Sequence, residues 1–471
     1  MLQTKRIKNG DLLEGALLPK IILFSLPIMA TSILQILFNT ADTVVVGRWG
    51  GATPEEREIA LAAVGSCGAL SGVIINFFFG LSVGAGVCTA QSIGAKHYDE
   101  VKKVVHTAAL TALVLGSFVA VIGMLFARPW LSLMGTDPAV LDQAAPYMCA
   151  YFAGAPANML YNYCAAVLRS KGDTTHPLIF LTVAGVSNVL LNLVMVLVLG
   201  MGAVGVGVAT AASHWISCVL IVIHMSHLDD ACHLDLRKLR IHRPTLMKML
   251  CIGVPAGIQG TVFSFSNVII QSSVNSFGKA TVAANTAAAN VSDYAYMAQN
   301  AVYHAAMTFV GQCTGARRYD RVRAVALTCI ATVTAVGLTI GGLTTLFGEE
   351  LLAIFSPGNE EVIRIGMVRL RYMCLPYFLC GIMEVGSGIL RGLGKSFTSM
   401  IIAILGVCGI RLMWIFTVFA AFHTLEVLYL SYLVTWIVTS SAHYTLVAIS
   451  VKKARKSLET ETQPNIQYST P

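Results

Sequence analysis

Charged residues are scarce in this chain of 471 residues, where Asp, Glu, Lys and Arg together make up 12%. Soluble domains carry about 25% charged residues, so this scarcity argues against a soluble fold. Hydrophobic residues account for 56% of the chain, and the mean hydropathy is +0.71. Apolar runs recur from residue 19 to residue 451. They leave no room for a soluble domain and indicate an integral membrane protein.

Motifs for metal, nucleotide or nucleophile chemistry are also missing. The twelve cysteines are scattered and include neither a Cys-x-x-Cys pair nor a zinc spacing. Residues 200–205 fit G-x-G-x-x-G but join two apolar runs, and residues 394–396 lack the first glycine of a Walker A loop because that position is Ile389. No Ala-x-Ala cleavage site follows the basic N-terminus, so we predict no cleaved signal peptide. We therefore expect neither an enzyme nor a cofactor.

The chain does contain twelve apolar stretches that can cross a bilayer, since a spanning helix needs about 20 apolar residues. Pro27, Pro156 and Pro255 lie inside these stretches and are predicted kinks, because proline lacks an amide donor. Gly80-x-x-x-Gly84 in the second stretch predicts close helix packing. The predicted spans are 20–46, 60–89, 104–126, 139–167, 177–199, 203–225, 247–276, 281–311, 324–347, 362–389, 397–420 and 426–450.

One polar segment occurs twice, 221 positions apart. Residues 91–101 and 312–322 share six of eleven residues, and residues 61–64 align with residues 282–285 at the same offset. A Leu-Arg-x-x-Gly turn after span 4 recurs after span 10 at an offset of 222. Each half has six spans, an even number, so both halves start from the same side of the membrane. The chain is therefore predicted to be an all-α integral membrane protein, with two six-helix lobes related by a parallel pseudo-two-fold repeat.

Positive charge is distributed unevenly among the predicted loops. Of the 32 Lys and Arg residues, 24 lie before span 1 or after the even-numbered spans, Arg391 among them. Lys and Arg are enriched in cytoplasmic loops, so both termini are predicted to be cytoplasmic. The net charge of +8 is then a topology signal, and we predict no nucleic-acid partner. The predicted organisation is an N-terminal cytoplasmic segment 1–19, an N-lobe 20–225, a cytoplasmic loop 226–246, a C-lobe 247–450 and a cytoplasmic, disordered tail 451–471.

Ionisable side chains inside spans are costly in hydrocarbon and mark candidate functional sites. Thr31, Gln35, Asn39 and Asp42 form one polar stripe on span 1. Asp42 falls in the outer half of the hydrocarbon, six residues before the predicted interface at Arg48. We interpret it as a proton or sodium site. The alternative is an interfacial acid that is satisfied by local donors.

Spans 5 and 6 add polar groups to the first half. Asn188 and Asn192 are four residues apart and share a helix face, and Thr210 lies on span 6. Taken alone, a buried pair of Asn residues is also typical of a structural contact between helices.

The second half has ionisable groups of its own, with Asp293 in span 8, Glu384 in span 10 and Arg411 in span 11. They are candidates for ion or substrate contact. The alternative is a structural pair in which Arg411 neutralises one of the two acids. His214 and His304 are isolated in their spans, and we predict structural roles for both.

Taken together, these motifs resemble the multidrug and toxic compound extrusion (MATE) family. The resemblance rests on the two sets of six spans, the repeated Gln-x-x-Gly-Ala-(Lys/Arg) and Leu-Arg-x-x-Gly turns, and the span-1 segment 39–47. It covers residues from about 15 to about 450, and is nearer to the DinF-like than to the NorM-like branch. In DinF-like relatives the span-1 aspartate and polar groups on spans 5 and 6 form a proton site. Asp42, Asn188 and Thr210 match by position, whereas many relatives carry an acid at Asn192.

The resemblance implies a monomeric antiporter in the cell membrane, in contact with lipids, that exports amphipathic, cationic compounds in exchange for H⁺ or Na⁺. The alternative is a flippase for a lipid or lipid-linked sugar on the same architecture. The predicted sites are Asp42, Asn39, Asn188, Asn192 and Thr210 for cation coupling; Asp293, Glu384 and Arg411 in the second lobe; Gln35, Asn158, Gln259, Asn267 and Tyr294 for the substrate cavity; and Pro27 and Pro255 as hinges.

Overall fold

A computed structural model of the chain describes residues 11–462, which are helical with short connections and contain no strand. The N-terminal charges Lys5, Arg6 and Lys8 lie outside the described residues. So do residues 463–471 of the predicted tail.

The described chain forms two compact units. The first includes residues 22–93 and 97–268, and the second includes residues 94–96 and the chain from residue 269 onward. The α-helices are α1 Leu17–Trp49, α2 Pro54–Gly94, α3 Tyr98–Leu133, α4 Pro138–Ala153, α5 Ala155–Lys171, α6 Thr175–Leu193, α7 Gly202–Ser226, α8 Arg243–Asn275, α9 Lys279–Gly315, α10 Tyr319–Leu346, α11 Gly348–Phe355, α12 Glu360–Arg369, α13 Phe378–Gly392, α14 Ser396–Ala403, α15 Ile410–Trp414, α16 Ala420–Phe422 and α17 Leu425–Thr462. Four π-helical turns, Val194–Val198, Leu370–Cys374, Ile404–Gly409 and Ile415–Phe419, continue α6, α12, α14 and α15.

Ten helical segments within the described residues are long and apolar enough to cross a bilayer. Two predicted spans fall outside these ten but are helical. Span 4 is divided into α4 and α5, of 16 and 17 residues. Span 8 is the 37-residue helix α9, which is rich in polar side chains such as Asn285, Asp293 and Gln299. All twelve predicted spans therefore coincide with helical stretches.

The predicted kink near Pro156 is an interruption of the helix. α4 ends at Ala153, and Pro156 lies in the first turn of α5. Trp215 Nε1 donates to the Ala153 carbonyl oxygen at 3.2 Å. This bond satisfies a backbone acceptor next to the break, as a low-dielectric surrounding requires.

The two predicted hinge prolines lie inside uninterrupted helices. Pro27 is within α1 and Pro255 is within α8. The Thr31 hydroxyl donates to the Pro27 carbonyl oxygen at 2.7 Å. Neither helix breaks at its proline, and the hinge role of both residues stays a prediction.

Both repeated turns have the same backbone geometry in their two copies. Lys96 and Arg317 are left-handed, with φ of 58° and 55°. In each copy the next amide donates to the carbonyl oxygen five residues earlier, at 2.9 Å. Gly172 and Gly394, which end the two Leu-Arg-x-x-Gly turns, also have positive φ values of 101° and 79°. The internal repeat therefore extends from the sequence to the conformation of the backbone.

Close packing at Gly80 and Gly84 is confirmed within the first unit. A Cβ atom on Gly80 would lie 2.4 Å from the Gly257 Cα atom of α8. A Cβ atom on Gly84 would lie 2.1 Å from the Met249 carbonyl oxygen. The two helices touch through their backbones, so only glycine fits at these positions.

The observed division of the chain differs from the predicted lobes in two places. The boundary between the compact units lies inside α8, between Val268 and Ile269, so the first part of α8 belongs to the first unit. The predicted inter-lobe loop also packs in that unit, where Lys171 forms an ion pair with Asp230. The prediction of disorder was wrong for residues 451–462, which continue α17 to Thr462. They are rich in Lys, Glu, Ala and Arg, which propagate a helix that has already started.

The second copy of the repeat anchors the segment that precedes α1. Arg318 Nη1 donates to the Leu13 carbonyl oxygen at 3.2 Å, and Arg321 Nη2 donates to the Gly15 carbonyl oxygen at 2.8 Å. Leu12 is buried beside them. We expect the double variant Arg318→Ala/Arg321→Ala to release this segment.

Hydrogen exchange should show the release as about tenfold faster exchange of the amides of residues 12–16, because charge-assisted hydrogen bonds of this kind contribute about 1.5 kcal/mol or more. The exposed Arg323 offers a control on the same turn, as Arg323→Ala. Equal protection in both variants would show that other contacts hold the segment.

Candidate functional site

Helices α1, α6 and α7 bring a carboxyl group together with two neutral donors in the first unit. Asn192 Nδ2 donates to Asp42 Oδ1 at 2.5 Å. Thr210 Oγ1 lies 3.3 Å from Asp42 Oδ2 and donates to it. Asn192 and Thr210 are 150 and 168 positions from Asp42 in the sequence, so only the fold brings them to it.

Asn188 closes this set of side chains into a network. Its Nδ2 atom donates to Thr210 Oγ1 at 3.4 Å, and its Oδ1 atom accepts from Asn192 Nδ2 at 3.3 Å. Asn188 and Asn192 are both buried, while Asp42 is half-buried. The structure therefore brings together Asp42, Asn188, Asn192 and Thr210, four of the five residues predicted for cation coupling. We call these four the Asp42 network.

The Asp42 network has two chemical properties that matter for a titratable group. Both donors to Asp42 are neutral, so its carboxylate is solvated by dipoles and is not neutralised by Asn192 or Thr210. In addition, the Oδ1 atom of Asn192 is buried and has no hydrogen-bond donor among the described residues. A protonated carboxyl group has one O–H to donate. The network can thus accept both forms of Asp42 by a rotation of one amide.

Asn39, the fifth predicted residue, is not part of this network. Its side chain is exposed, and its carbonyl oxygen accepts a bond from the Thr43 hydroxyl at 3.0 Å. Asn39 precedes Asp42 by nearly one helical turn, which places it on a similar face but at a different depth. A polar stripe on one helix does not indicate which of its members meets the neighbouring helices.

An apolar cavity in the first unit contains one of the predicted substrate contacts, Asn158. Asn162 Nδ2 donates to Asn158 Oδ1 at 2.7 Å, so two amides lie among aromatic and aliphatic walls. The His214 ring packs edge-on against Tyr151, with centroids 6.2 Å apart. The lining residues are Ile74, Ile75, Phe78, Phe79, Val119, Tyr151, Phe152, Ala155, Asn158, Met159, Asn162 and His214.

The other predicted cavity residues are dispersed. Gln35 and Asn267 are exposed in the first unit, whereas Gln259 is buried there. Tyr294 belongs to the second unit and is 37% exposed. Aromatic residues such as Phe78 and Tyr151 were not predicted as cavity residues, because an aromatic residue in an apolar run looks the same whether it faces a cavity or a neighbouring helix.

In the second unit, the predicted ionisable residues have other neighbours than expected. Arg411 is buried, and its guanidinium lies 4.0 Å from the centre of the Tyr432 ring. Arg391 lies near enough to Glu384, and Arg369 near enough to Asp293, to act on these acids electrostatically. The structural pair considered for Arg411 stays a prediction.

Neither Arg391, which is buried, nor Arg369, which is half-buried, was among the predicted site residues. Arg391, which was counted as a loop charge, is buried at the end of α13 and contacts the Tyr303 hydroxyl. Arg369 donates to the carbonyl oxygen and the Oδ1 atom of Asn285, at 2.8 and 2.6 Å. The sequence does distinguish Asn285, because the aligned position in the first half is the apolar Val64.

Comparison with known proteins gives a consistent result. A model of the MatE family matches residues 27–194 and 255–417. The chain is 29% identical over 396 residues to the probable multidrug resistance protein YoeA of Bacillus subtilis (strain 168), covering 83% of this chain and 84% of that protein. It is 23% identical over 404 residues to the probable multidrug resistance protein NorM of Thermotoga maritima, covering 83% and 84%. These names favour efflux of small molecules over the alternative of a lipid flippase.

A solved structure shares the fold. The outward-facing conformation of a multidrug resistance MATE family transporter of the MOP superfamily superposes with a TM-score of 0.87 at 21% identity, covering 97% of this chain and all of that one. Because the family model matches well over half of the residues, the chain belongs to the MatE family, the multi-pass membrane transporters of multidrug and toxic compound extrusion.

Proposed function

We propose that this transporter is an antiporter of the cell membrane that exports amphipathic, cationic compounds, and that Asp42 binds the coupling cation. The observation that carries the proposal is the Asp42 network, in which a carboxyl group inside a span is held by neutral donors. An ionisable group within a span is expensive and is typical of proton and ion pathways. The positions of Asn188 and Thr210 in the network are those expected of the DinF-like branch.

The orientation of the network favours a proton over sodium. A sodium ion needs several oxygen ligands, but Asn192 presents its Nδ2 atom, a donor, to Asp42. In this arrangement no amide oxygen of Asn192 joins the Asp42 carboxylate as a ligand for sodium. Many relatives carry an acid at the position of Asn192. A sodium site in this chain would therefore lack that second negative charge.

Proton uptake would change the contacts between α1 and its neighbours. With Asp42 ionised, Asn192 and Thr210 both donate to it. With Asp42 protonated, its O–H becomes a donor, and the Oδ1 atom of Asn192 becomes its acceptor after the amide turns. The contact between α1 and α6 therefore changes when Asp42 gains or loses a proton. In this way the charge on Asp42 is coupled to the position of α1, with Pro27 as its predicted hinge.

We propose that the aromatic residues around Asn158 form part of the surface that binds the substrate. Aromatic faces attract organic cations by about 0.5–2 kcal/mol each, and apolar walls bind the hydrophobic part of an amphipathic molecule. In the second unit, Glu384 and Asp293 are the acids that we propose for ion or substrate contact. Protonation of Asp42 removes one negative charge from the first unit and so weakens its attraction for a bound cation.

The exchange stoichiometry sets what drives transport. Exchange of one proton for one monovalent cation moves no net charge, so the membrane potential does no work. Such a cycle uses the pH gradient alone, at about 1.4 kcal/mol per pH unit. In the proposed orientation, with both termini in the cytoplasm and the protein acting as a monomer in lipid, a more acidic external face drives export.

Dye efflux from proteoliposomes tests the proposal. We expect a fluorescent organic cation to accumulate uphill when a pH gradient alone is imposed, and no uphill movement when a sodium gradient alone is imposed. Collapse of the potential with valinomycin and potassium should leave the rate unchanged. Accumulation driven only by sodium would transfer the coupling role to another ion, and downhill movement without accumulation would rule out an antiporter.

A further inference from the structure

Three metal-ligating side chains meet at one end of the first unit, away from the Asp42 network. They are Asp173 in the turn after α5, His176 in the first turn of α6 and His224 in the last turn of α7. One ligand atom from each, the Asp oxygen and a ring nitrogen of each His, lies within 4.8 Å of the other two. Among the described residues this is the one group of His, Cys, Asp or Glu side chains close enough together to hold a metal ion.

The local backbone fixes the first two of these ligands. Gly172 adopts φ of 101° and ends α5, which directs the chain back toward the membrane. Asp173 Oδ1 then accepts from the backbone amide of His176 at 3.2 Å and so caps α6. The second oxygen, Oδ2, faces His176 Nδ1 at 2.7 Å. One carboxylate oxygen is thus engaged in the fold, and the other is directed at the imidazole.

The third ligand comes from the neighbouring helix. His224 Nε2 is 3.8 Å from Asp173 Oδ2. The rings of His176 and His224 stack with centroids 4.1 Å apart and an interplanar angle of 24°. The Phe180 ring packs against the His224 ring, with centroids 5.4 Å apart. The two imidazoles and the carboxylate thus bring three possible ligand atoms within 4.8 Å of one another.

Small side-chain movements would bring the three ligand atoms to the separations that a zinc ion requires. Zinc binds His nitrogen and Asp oxygen at about 2.0–2.2 Å in tetrahedral geometry, which separates neighbouring ligand atoms by about 3.3 Å. The observed separations of 2.7 and 3.8 Å lie on either side of that value. Side-chain exposures of 18%, 31% and 22% for Asp173, His176 and His224 leave a path from water and room for a fourth ligand.

We propose that Asp173, His176 and His224 form a zinc site, in which a water molecule completes the coordination. The ion would join the α5–α6 turn to the end of α7. Because α6 carries Asn188 and Asn192 and α7 carries Thr210, the same ion fixes the two helices that supply the donors to Asp42. Bound zinc would thus hold α6 and α7 in place without contacting the Asp42 network.

Binding of Zn²⁺ to the purified, full-length protein tests this inference. After removal of metal with a chelator, the protein is titrated with Zn²⁺ in competition with a chromophoric indicator, and Co²⁺ absorption reports the coordination geometry. The variants are His176→Gln, His224→Gln and Asp173→Asn, the last of which keeps an oxygen to cap α6. His97→Gln, at an exposed position before α3, is the matched control.

We expect one Zn²⁺ per chain in the wild type and in His97→Gln, with affinity lowered about 100-fold or more in each of the three ligand variants. Zinc should raise the thermal midpoint of the first two proteins only. The Co²⁺ complex of the wild type should show the intense absorption of a four-coordinate site. Zinc affinity in His176→Gln and His224→Gln equal to that of His97→Gln would overturn the proposal, as would a wild type that binds no zinc in the micromolar range.

Discussion

Asp42→Asn abolishes uphill dye efflux and leaves the protein folded and inserted, if Asp42 carries the coupling proton. The side chain keeps its size, and an amide oxygen can still accept from Asn192 or Thr210, so the packing of α1 against α6 and α7 is preserved. What is lost is the ability to take up and release a proton. Uptake is stoichiometric with transport, so the rate should fall to the leak of empty vesicles.

The measurement is efflux in proteoliposomes under an imposed pH gradient, with equal amounts of protein verified in the vesicles. Asp142→Asn provides the matched control, since it makes the same chemical change at an exposed residue that pairs with Arg128. That control should transport at the wild-type rate because exposed ion pairs contribute little. Wild-type efflux by the Asp42 variant would exclude Asp42 from the coupling mechanism, whatever its effect on stability.

Gly84→Ala should destabilise the protein strongly, because an added methyl group has less room at Gly84 than at Gly80. The added Cβ would lie 2.1 Å from the Met249 carbonyl oxygen and 3.0 Å from the Gly253 nitrogen. Both neighbours are backbone atoms of α8, which cannot turn aside as a side chain can. The helices would have to separate, and overpacking of this kind costs about 3 kcal/mol or more. We expect a large fall in the thermal midpoint and in the yield of monodisperse protein.

Gly65→Ala is the control on the same helix. Nothing lies within 4 Å of a Cβ atom at Gly65, and alanine is favoured over glycine inside a helix by about 1 kcal/mol. This variant should therefore match or exceed the stability of the wild type in a thermal unfolding assay in detergent. If both variants melted together, the glycine contact between α2 and α8 would not contribute to stability as the geometry indicates.

Much of the fold was predictable because hydrocarbon leaves few alternatives to a helix. Apolar length located the twelve helical stretches, and the repeated turns identified the two halves. The break at Gly154 was predicted only as a kink at Pro156, since the sequence does not reveal that Trp215 can satisfy a freed carbonyl group. The unit boundary inside α8 was not predicted, because the contact between glycines of α2 and α8 becomes visible only in the fold.

The candidate site was predictable where polarity within a span was the signal. Asp42, Asn192 and Thr210 stand out because polar side chains are rare there, and the structure brings them together. Arg391 was assigned to a loop because it lies at the end of a span. A count of charges in the sequence cannot distinguish an arginine that faces water from one that contacts a buried tyrosine. Asn285 differs from its apolar counterpart in the first half, and that asymmetry is the type of signal a comparison of the halves can use.

The two halves differ in length by one residue between their repeated turns. The offset between them grows from 221, at Tyr98 and Tyr319, to 222, at Arg169 and Arg391. It is already 222 at Asp137 and Asn359, whose side chains accept from backbone amides at the starts of α4 and α12. The extra residue of the second half therefore lies before Asn359, in the chain that leads from α10 to α12. A chimaera that exchanges the two halves across this region would need that residue deleted to keep the flanking helices in phase.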